Sequence, residues 1–192
     1  MKDKFTINEI LKLFDESSSI INKSKILAKE IQQVIHIITK SLKNGNKLVI
    51  FGNGGSAADA QHMAAEFIGR YLIERKSIPA IALTTDSSIL TAIGNDYGFD
   101  RVFSRQCESI VERGDVVIAI STSGNSTNVI EGVKAAKKRG GIIVGLTGNS
   151  GGKLKAHSDI MVRIPSDETP HIQEGHRTVI HIICDLVERE SK

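Results

Sequence analysis

A histidine and a carboxylate one helical turn apart, His62 and Glu66, are the first residues in this chain whose types and spacing could do chemistry. At i and i+4 in the helical stretch from Ser56 to Glu66 they share one face, where they can bind a metal, act as acid and base, or form a plain surface pair. His181, far along the chain, sits among Val179, Ile180, Ile182 and Ile183, where a satisfied core histidine is the default reading. The run Ser121-Thr122-Ser123-Gly124-Asn125-Ser126 offers four hydroxyls between a β-branched run and a helix, whose free N–H groups and dipole favour an anion. With neither GxxxxGK nor GxGxxG, a phosphate monoester suits this loop better than a nucleoside triphosphate or dinucleotide. The bland alternative is a strand-to-helix turn with a serine cap. In Gly52-Asn53-Gly54-Gly55-Ser56 the glycines let backbone approach a ligand, and Ser56 is placed to cap the next helix; a simple tight turn accounts for it equally well.

The elements that must carry these loops are short. Leu48–Phe51, Ala80–Leu83, Val116–Ile120, Ile142–Leu146 and Ile160–Ile164 are apolar runs without polar alternation, as expected of strands covered on both faces. Helical segments between them give a βαβ rhythm, hence an α/β fold with a doubly wound, five-stranded parallel sheet. In such a sheet the loops after the strands emerge at the carboxyl edge, where ligands bind, so the glycine loop, Thr84–Ser88, the hydroxyl loop and Thr147–Gly152 converge there. Before the first strand, Ile7, Ile10, Leu11 and Phe14, then Leu27, Ile31, Val34, Ile38 and Leu42, follow helical spacing. Thr6-Ile7-Asn8-Glu9 has the form of a capping box, and Asn44-Gly45 supplies a stop. Residues 1–44 are thus an N-terminal helical extension, free to pack on the domain or on another subunit, and 45–192 are the domain itself. At the far end, Thr169-Pro170 reads as a cap with proline at the first helical position. His36, among isoleucines, reads as packing.

Composition bounds the function. There are 192 residues, with 25 Lys and Arg against 22 Asp and Glu and a formal charge of +3. Both signs are spread along the chain, which removes the electrostatic argument for a nucleic-acid or anionic-membrane partner. No apolar run approaches the roughly 20 residues that span a bilayer. Cys107 and Cys184 lie in no CxxC pattern. A cytoplasmic, reducing location is expected.

Taken together, Gly52–Ser56, Asp59–His62, Glu66, Gly69–Tyr71, Gly94–Phe99, Phe103–Arg105, Ser121–Ser126 and Ile172–Glu174 with His176 and His181 resemble the sugar isomerase (SIS) domain family, and within it the phosphoheptose isomerases. The resemblance implies a flavodoxin-like sheet in a homotetramer with active sites where subunits meet. It implies that Ser121, Thr122, Ser123 and Ser126 hold a substrate phosphate, and that Asn53, Gly54, Gly55, Ser56, Glu66, Asn95, Asp96 and Gln173 bind the sugar. Glu66 and His181 match the catalytic pair. His62, Glu66, Gln173 and His181 match the ligands of one zinc ion per subunit. Two departures stand out: Gly175 replaces a large apolar residue, and His171 a customary arginine.

The implied reaction interconverts sedoheptulose 7-phosphate and D-glycero-D-manno-heptose 7-phosphate through an enediolate, for lipopolysaccharide, capsule or another surface glycan. It needs a base for carbon and an acid for oxygen, and Glu66 and His181 are of those types. Gln173 and His181 are eight residues apart, about 12 Å of rise on a straight helix; one ion takes both only if the helix kinks near Gly175 or a neighbouring subunit supplies one of them. Two other functions compete. A relative in this family binds the bacterial replication initiator without catalysis, but lacks the residues matching Glu66 and His181, both present here. A sugar-phosphate sensor of the kind found in transcription regulators would carry a DNA-binding segment, and none accompanies this domain.

Overall fold

Each of the five apolar runs forms a strand in the computed structural model, which describes residues 5–191; residues 1–4 and Lys192, the outermost positions of the two expected units, lie outside it. The strands are β1 (Leu48–Gly52), β2 (Ala80–Ala82), β3 (Val116–Ile120), β4 (Ile142–Thr147) and β5 (Ile160–Arg163). All pair in parallel in the order β2-β1-β3-β4-β5. This is the flavodoxin order, whose switch point lies between β1 and β3, so the glycine loop and the hydroxyl loop flank it.

Alternate residues on each strand feed two separate cores. Leu48, Ile50, Ile118 and Ile120 pack with helices α2 (Ala28–Lys43), α3 (Gly55–Ile68) and α7 (Thr169–Glu190). Val49, Phe51, Val117 and Ala119 pack against α5 (Val102–Ile110) and α6 (Thr127–Lys138). Phe51 stacks on Phe103 in this second layer, with ring centroids 4.9 Å apart. The edge strand β2 departs from the two-sided burial expected of it, since Ile81 is exposed there. Among the described residues no helix is long and apolar enough to cross a membrane.

At the N-terminus the capping box forms in both directions: Glu9 N–H donates to Thr6 Oγ1 (3.2 Å) and Thr6 N–H to Glu9 Oε2 (2.7 Å), starting α1 (Ile7–Lys23). Helix α2 buries Ile31, Val34 and Ile38. By contrast α1 buries nothing, and Ile7, Ile10, Leu11 and Phe14 are exposed. His36 is also exposed, because the isoleucines around it turn inward and leave it on the outer side of α2. Between α2 and α7 runs a groove of about 1430 Å³ with Ile31, Ile35, Val179 and Ile182 in its lining and Lys29 and Lys40 beside them. It shares no lining residue with the loops at the carboxyl edge.

Two helix starts differ from the sequence reading. Gly54, at φ 55°, is the N-cap of α3, so Ser56 falls inside the first turn and is buried. Helix α7 begins at Thr169 itself with Glu168 as N-cap, which moves Pro170 to the second helical position. Within α7, Gly175 is buried where an added Cβ would meet Ile164 at 2.8 Å, so its missing side chain lets the helix sit on the end of β5.

The last turn of α7 anchors the segment that follows α3. Glu188, fully buried, accepts hydrogen bonds from the backbone N–H groups of Tyr71 (2.8 Å), Leu72 (2.7 Å) and Ile73 (2.9 Å) and faces Arg75 Nε at 3.2 Å. Burial alone would raise this carboxyl, but the three N–H donors and Arg75 outweigh it and hold Glu188 below its ordinary value of 4.5. A depressed carboxyl contributes stability that is present above the unfolded value and lost as pH falls through the folded one. Glu188→Gln is therefore expected to cost about 3–5 kcal/mol at neutral pH, because Arg75 is left buried without its counter-charge. The variant should also show a weaker loss of stability below pH 4.5 than the parent. Urea denaturation across pH checks both; an unchanged midpoint at pH 7 would contradict the assignment.

Candidate active site

Helices α3 and α7 run side by side in the same direction, and their contacts keep a nearly constant offset. Gly55 lies against Gln173, Asp59 against Arg177, and His62 against His181. The first contact depends on glycine, since a Cβ at Gly55 would fall 2.5 Å from Gln173 Nε2. The second is a charge-assisted bond: Arg177 Nε donates to Asp59 Oδ1 at 2.8 Å, and Asp59 is buried. The third brings the Nε2 atoms of His62 and His181 to 2.9 Å, one ring donating and the other accepting.

Around that contact the chemistry gathers. Glu66 Oε1 stands 3.4 Å from His62 Nε2. The Tyr71 ring lies over His181 with centroids 5.6 Å apart. His181 is thus not the satisfied core histidine that its aliphatic neighbours suggest; it is half-buried beside His62. Burial first, then the neighbouring His62 and Arg177, lowers its pKa, against the opposing pull of Glu66 and Asp59. Neutral imidazole is therefore favoured, with one nitrogen able to donate and the other to accept. Cys184, one turn beyond, is buried and pushed up to about 12, an inert thiol.

The hydroxyl loop is clamped from outside. Ser121 Oγ and Ser126 Oγ are 3.1 Å apart, and Gly124 N–H closes a turn on Ser121 O at 3.0 Å. The loop after β4 is laid directly on it: Gly148 N–H donates to Thr122 O (2.9 Å), Leu154 N–H to Gly124 O (2.9 Å) and Lys153 N–H to Asn125 Oδ1 (3.1 Å). Gly124, at φ 65°, has no room for a Cβ against Gly151 O. Ser126 is the N-cap of α6 but makes no side-chain bond into the helix, which leaves its hydroxyl to Ser121 and to any bound anion.

Below this loop, His176 is fully buried with Nε2 3.1 Å from Thr147 O, tying α7 to the end of β4. Burial lowers its pKa to about 4, opposed by that carbonyl and by Asp59. It is therefore neutral at physiological pH, and Nε2 donates to the carbonyl. His176→Leu keeps similar bulk but leaves Thr147 O with one partner fewer; a loss of about 1–3 kcal/mol is expected by thermal or urea denaturation.

Not every expected site residue joins these two groups. Asn95 and Asp96 are exposed on α4 (Ser87–Tyr97), bonded to each other at 2.8 Å, and α4 packs mainly on α5 and the 3₁₀ turn Phe99–Arg101. Ser56 is 3% exposed in the first turn of α3, beneath Gly52. Gln173 stays at the start of α3, seven residues or about 10 Å of helix from the level of His62. Helix α7 is unbroken from Thr169 to Glu190, so the chain uses no helix break near Gly175 to close that distance. His171 stands between Glu168 (3.6 Å) and Glu174 (3.3 Å). Sequence reasoning gave no role to Asn128, Arg177 or Tyr71; Arg177, four residues before His181, was the most discoverable.

For a metal, the donor chemistry of His62, Glu66 and His181 fits zinc, two imidazoles and a carboxylate. Their side chains meet by direct contact; among the described residues no group of three His, Cys, Asp or Glu is spread into an ion-holding arrangement.

The chain thus combines a doubly wound sheet, a hydroxyl-lined loop at its switch point and a cluster of two histidines and a glutamate on the adjoining helices, and the family model for the SIS domain matches residues 13–148. The chain belongs to that family. Within it the chain stands among the phosphoheptose isomerases. It is 60% identical over 153 residues to the phosphoheptose isomerase of Geobacter metallireducens, covering 80% of this chain and 81% of that one. Solved phosphoheptose isomerases from Neisseria gonorrhoeae (46% identical, TM-score 0.90, 96% of this chain and 100% of that chain) and Francisella tularensis (34%, 0.93, 96% and 99%) share the whole architecture.

Proposed function

We infer that the chain is an aldose–ketose isomerase converting D-sedoheptulose 7-phosphate to D-glycero-D-manno-heptose 7-phosphate, supplying heptose for a bacterial surface glycan. The carrying observation is the meeting of Glu66, His62 and His181 on the paired helices α3 and α7, alongside a clamped hydroxyl loop.

In this reading Ser121, Thr122, Ser123 and Ser126 hold the phosphate, whose charge the start of α6 favours. Asn53, Gly54, Gly55 and Gln173 bind the sugar chain, with Asn95 and Asp96. Glu66 removes a proton from C1 as His181 gives one to the C2 oxygen, so that the developing enediolate is caught as the enediol. The O1 proton then passes to His181, restoring the proton it gave, as the C1 carbonyl forms, and Glu66, whose proton exchanges with solvent while the enediol persists, delivers a proton to C2. His62, within reach of both, fixes their orientation. One zinc ion per subunit, held by His62, Glu66 and His181 with Gln173, would act as a Lewis acid on the oxygens of the enediolate.

The offset between Gln173 and His181 supports supply of one of them by a neighbouring subunit. The exposed apolar face of α1 and the α2–α7 groove support association into a homotetramer, for which the cytoplasm is the proposed location. Regulation of the replication initiator is disfavoured because Glu66 and His181 are both retained and both reach His62.

Incubation with sedoheptulose 7-phosphate in deuterated water tests the chemistry: the aldoheptose should form with deuterium at C2. Product without solvent deuterium would argue for hydride shift and against Glu66 as an exchanging base.

A further inference from the structure

The glycine loop and the hydroxyl loop belong to different strands, yet one pair of side chains locks them together. Asn53 Nδ2 donates to Asn128 Oδ1 at 2.8 Å, and Asn128 Nδ2 donates back to Asn53 Oδ1 at 2.9 Å. Asn128 is 3% exposed in the first turn of α6, immediately after the hydroxyl loop, and Asn53 is half-buried in the glycine loop. The contact spans the β1/β3 switch point. Its reciprocity fixes both amide planes, because flipping either amide alone would set nitrogen against nitrogen and oxygen against oxygen. Each amide then keeps one N–H and one oxygen lone pair, so Asn53 offers its remaining groups to a sugar in a single orientation.

We propose that Asn128 is a positioning residue for the isomerisation: through Asn53 it sets the glycine loop against the phosphate-holding loop, and so fixes where the sugar carbons lie once the phosphate is bound. The inference rests on the assignment of residues 121–126 to the phosphate and Asn53 to the sugar. A purely local part in the cradle would make Asn128 matter for phosphate affinity alone. A part in registering the two loops makes it matter for turnover, where displacement of about 1 Å can cost on the order of 100-fold.

The test measures kcat and KM for sedoheptulose 7-phosphate, and competitive inhibition by inorganic phosphate, in the parent, Asn128→Ala, Asn53→Ala and the double variant. Asn128→Ala should lower kcat about 10- to 100-fold, while the phosphate inhibition constant stays within about threefold of the parent. The double variant should be no slower than the slower single variant, because both changes remove the same contact. Asn128→Asp keeps the volume and one of the two bonds but sets two oxygens face to face, and should lose turnover likewise; it serves if the alanine variant does not fold. Unchanged kcat, losses that multiply in the double variant, or weaker phosphate inhibition with kcat intact would each overturn the proposal. Failure of phosphate to compete in the parent would instead remove the cradle assignment, and the inference with it.

Discussion

Glu66→Gln is expected to lower turnover of sedoheptulose 7-phosphate by at least about 100- to 10,000-fold, the range contributed by a positioned acid or base. The amide keeps the volume and hydrogen-bonding reach of the carboxylate toward His62, 3.4 Å away, so the thermal midpoint should move little. His181→Ala should lower turnover comparably, since His181 is half-buried at the surface of the α3–α7 pair and its loss opens little of the core. The double variant should be scarcely slower than either single one, because groups acting on one proton path fail together. The check is single-turnover kinetics beside circular dichroism. Parent-like rates in both single variants would show that the chemistry lies elsewhere on the chain.

The second large effect is structural and begins at a glycine. Gly124 combines φ 65° with backbone of the β4 loop pressed where a Cβ would stand. Gly124→Ala therefore incurs left-handed strain and a steric overlap that no rotamer relieves, together roughly 2–5 kcal/mol. Relief requires the loop from Gly148 to Gly152 to lift, breaking the bonds from Gly148 to Thr122 and from Leu154 to Gly124. KM should rise more than kcat falls, since the hydroxyl loop loses its clamp while α3 and α7 are untouched. Gly45→Ala, at the stop after α2, is the contrasting control: φ is 81° but nothing lies within 4 Å of the added atom, so only the strain of a positive φ remains. Equal stability of the two variants would refute the steric argument.

Much of this fold could be read from the residues because its strands are continuous apolar runs bounded by loop formers; β3 matches its run residue for residue, and the others differ only at their ends. The capping box at Thr6 was equally readable, being entirely local. What stayed hidden depends on tertiary neighbours. Ser56 reads as a cap until Gly54 takes that place with a positive φ. Thr169 reads as a cap because nothing in the sequence tells an N-cap from a first helical residue when the side chain makes no capping bond. His36 looks internal because helical periodicity marks the stripe on α2 but not its edge. The approach of His181 to His62, 119 positions apart, follows from the shared direction of α3 and α7. The sequence could name both residues, but only the packing shows them touching.

The buried carboxylate near the end of α7 makes the chain's tail an unequal place to cut. Exopeptidase trimming that stops short of Glu188 spares the knot with Tyr71, Leu72 and Ile73, and α7 keeps its mooring. One residue further, three backbone donors lose their acceptor and Arg75 its counter-charge at once. Digestion over time should therefore show a plateau followed by abrupt collapse, and a tag cleaved back too far would silence an enzyme whose reacting groups were never touched.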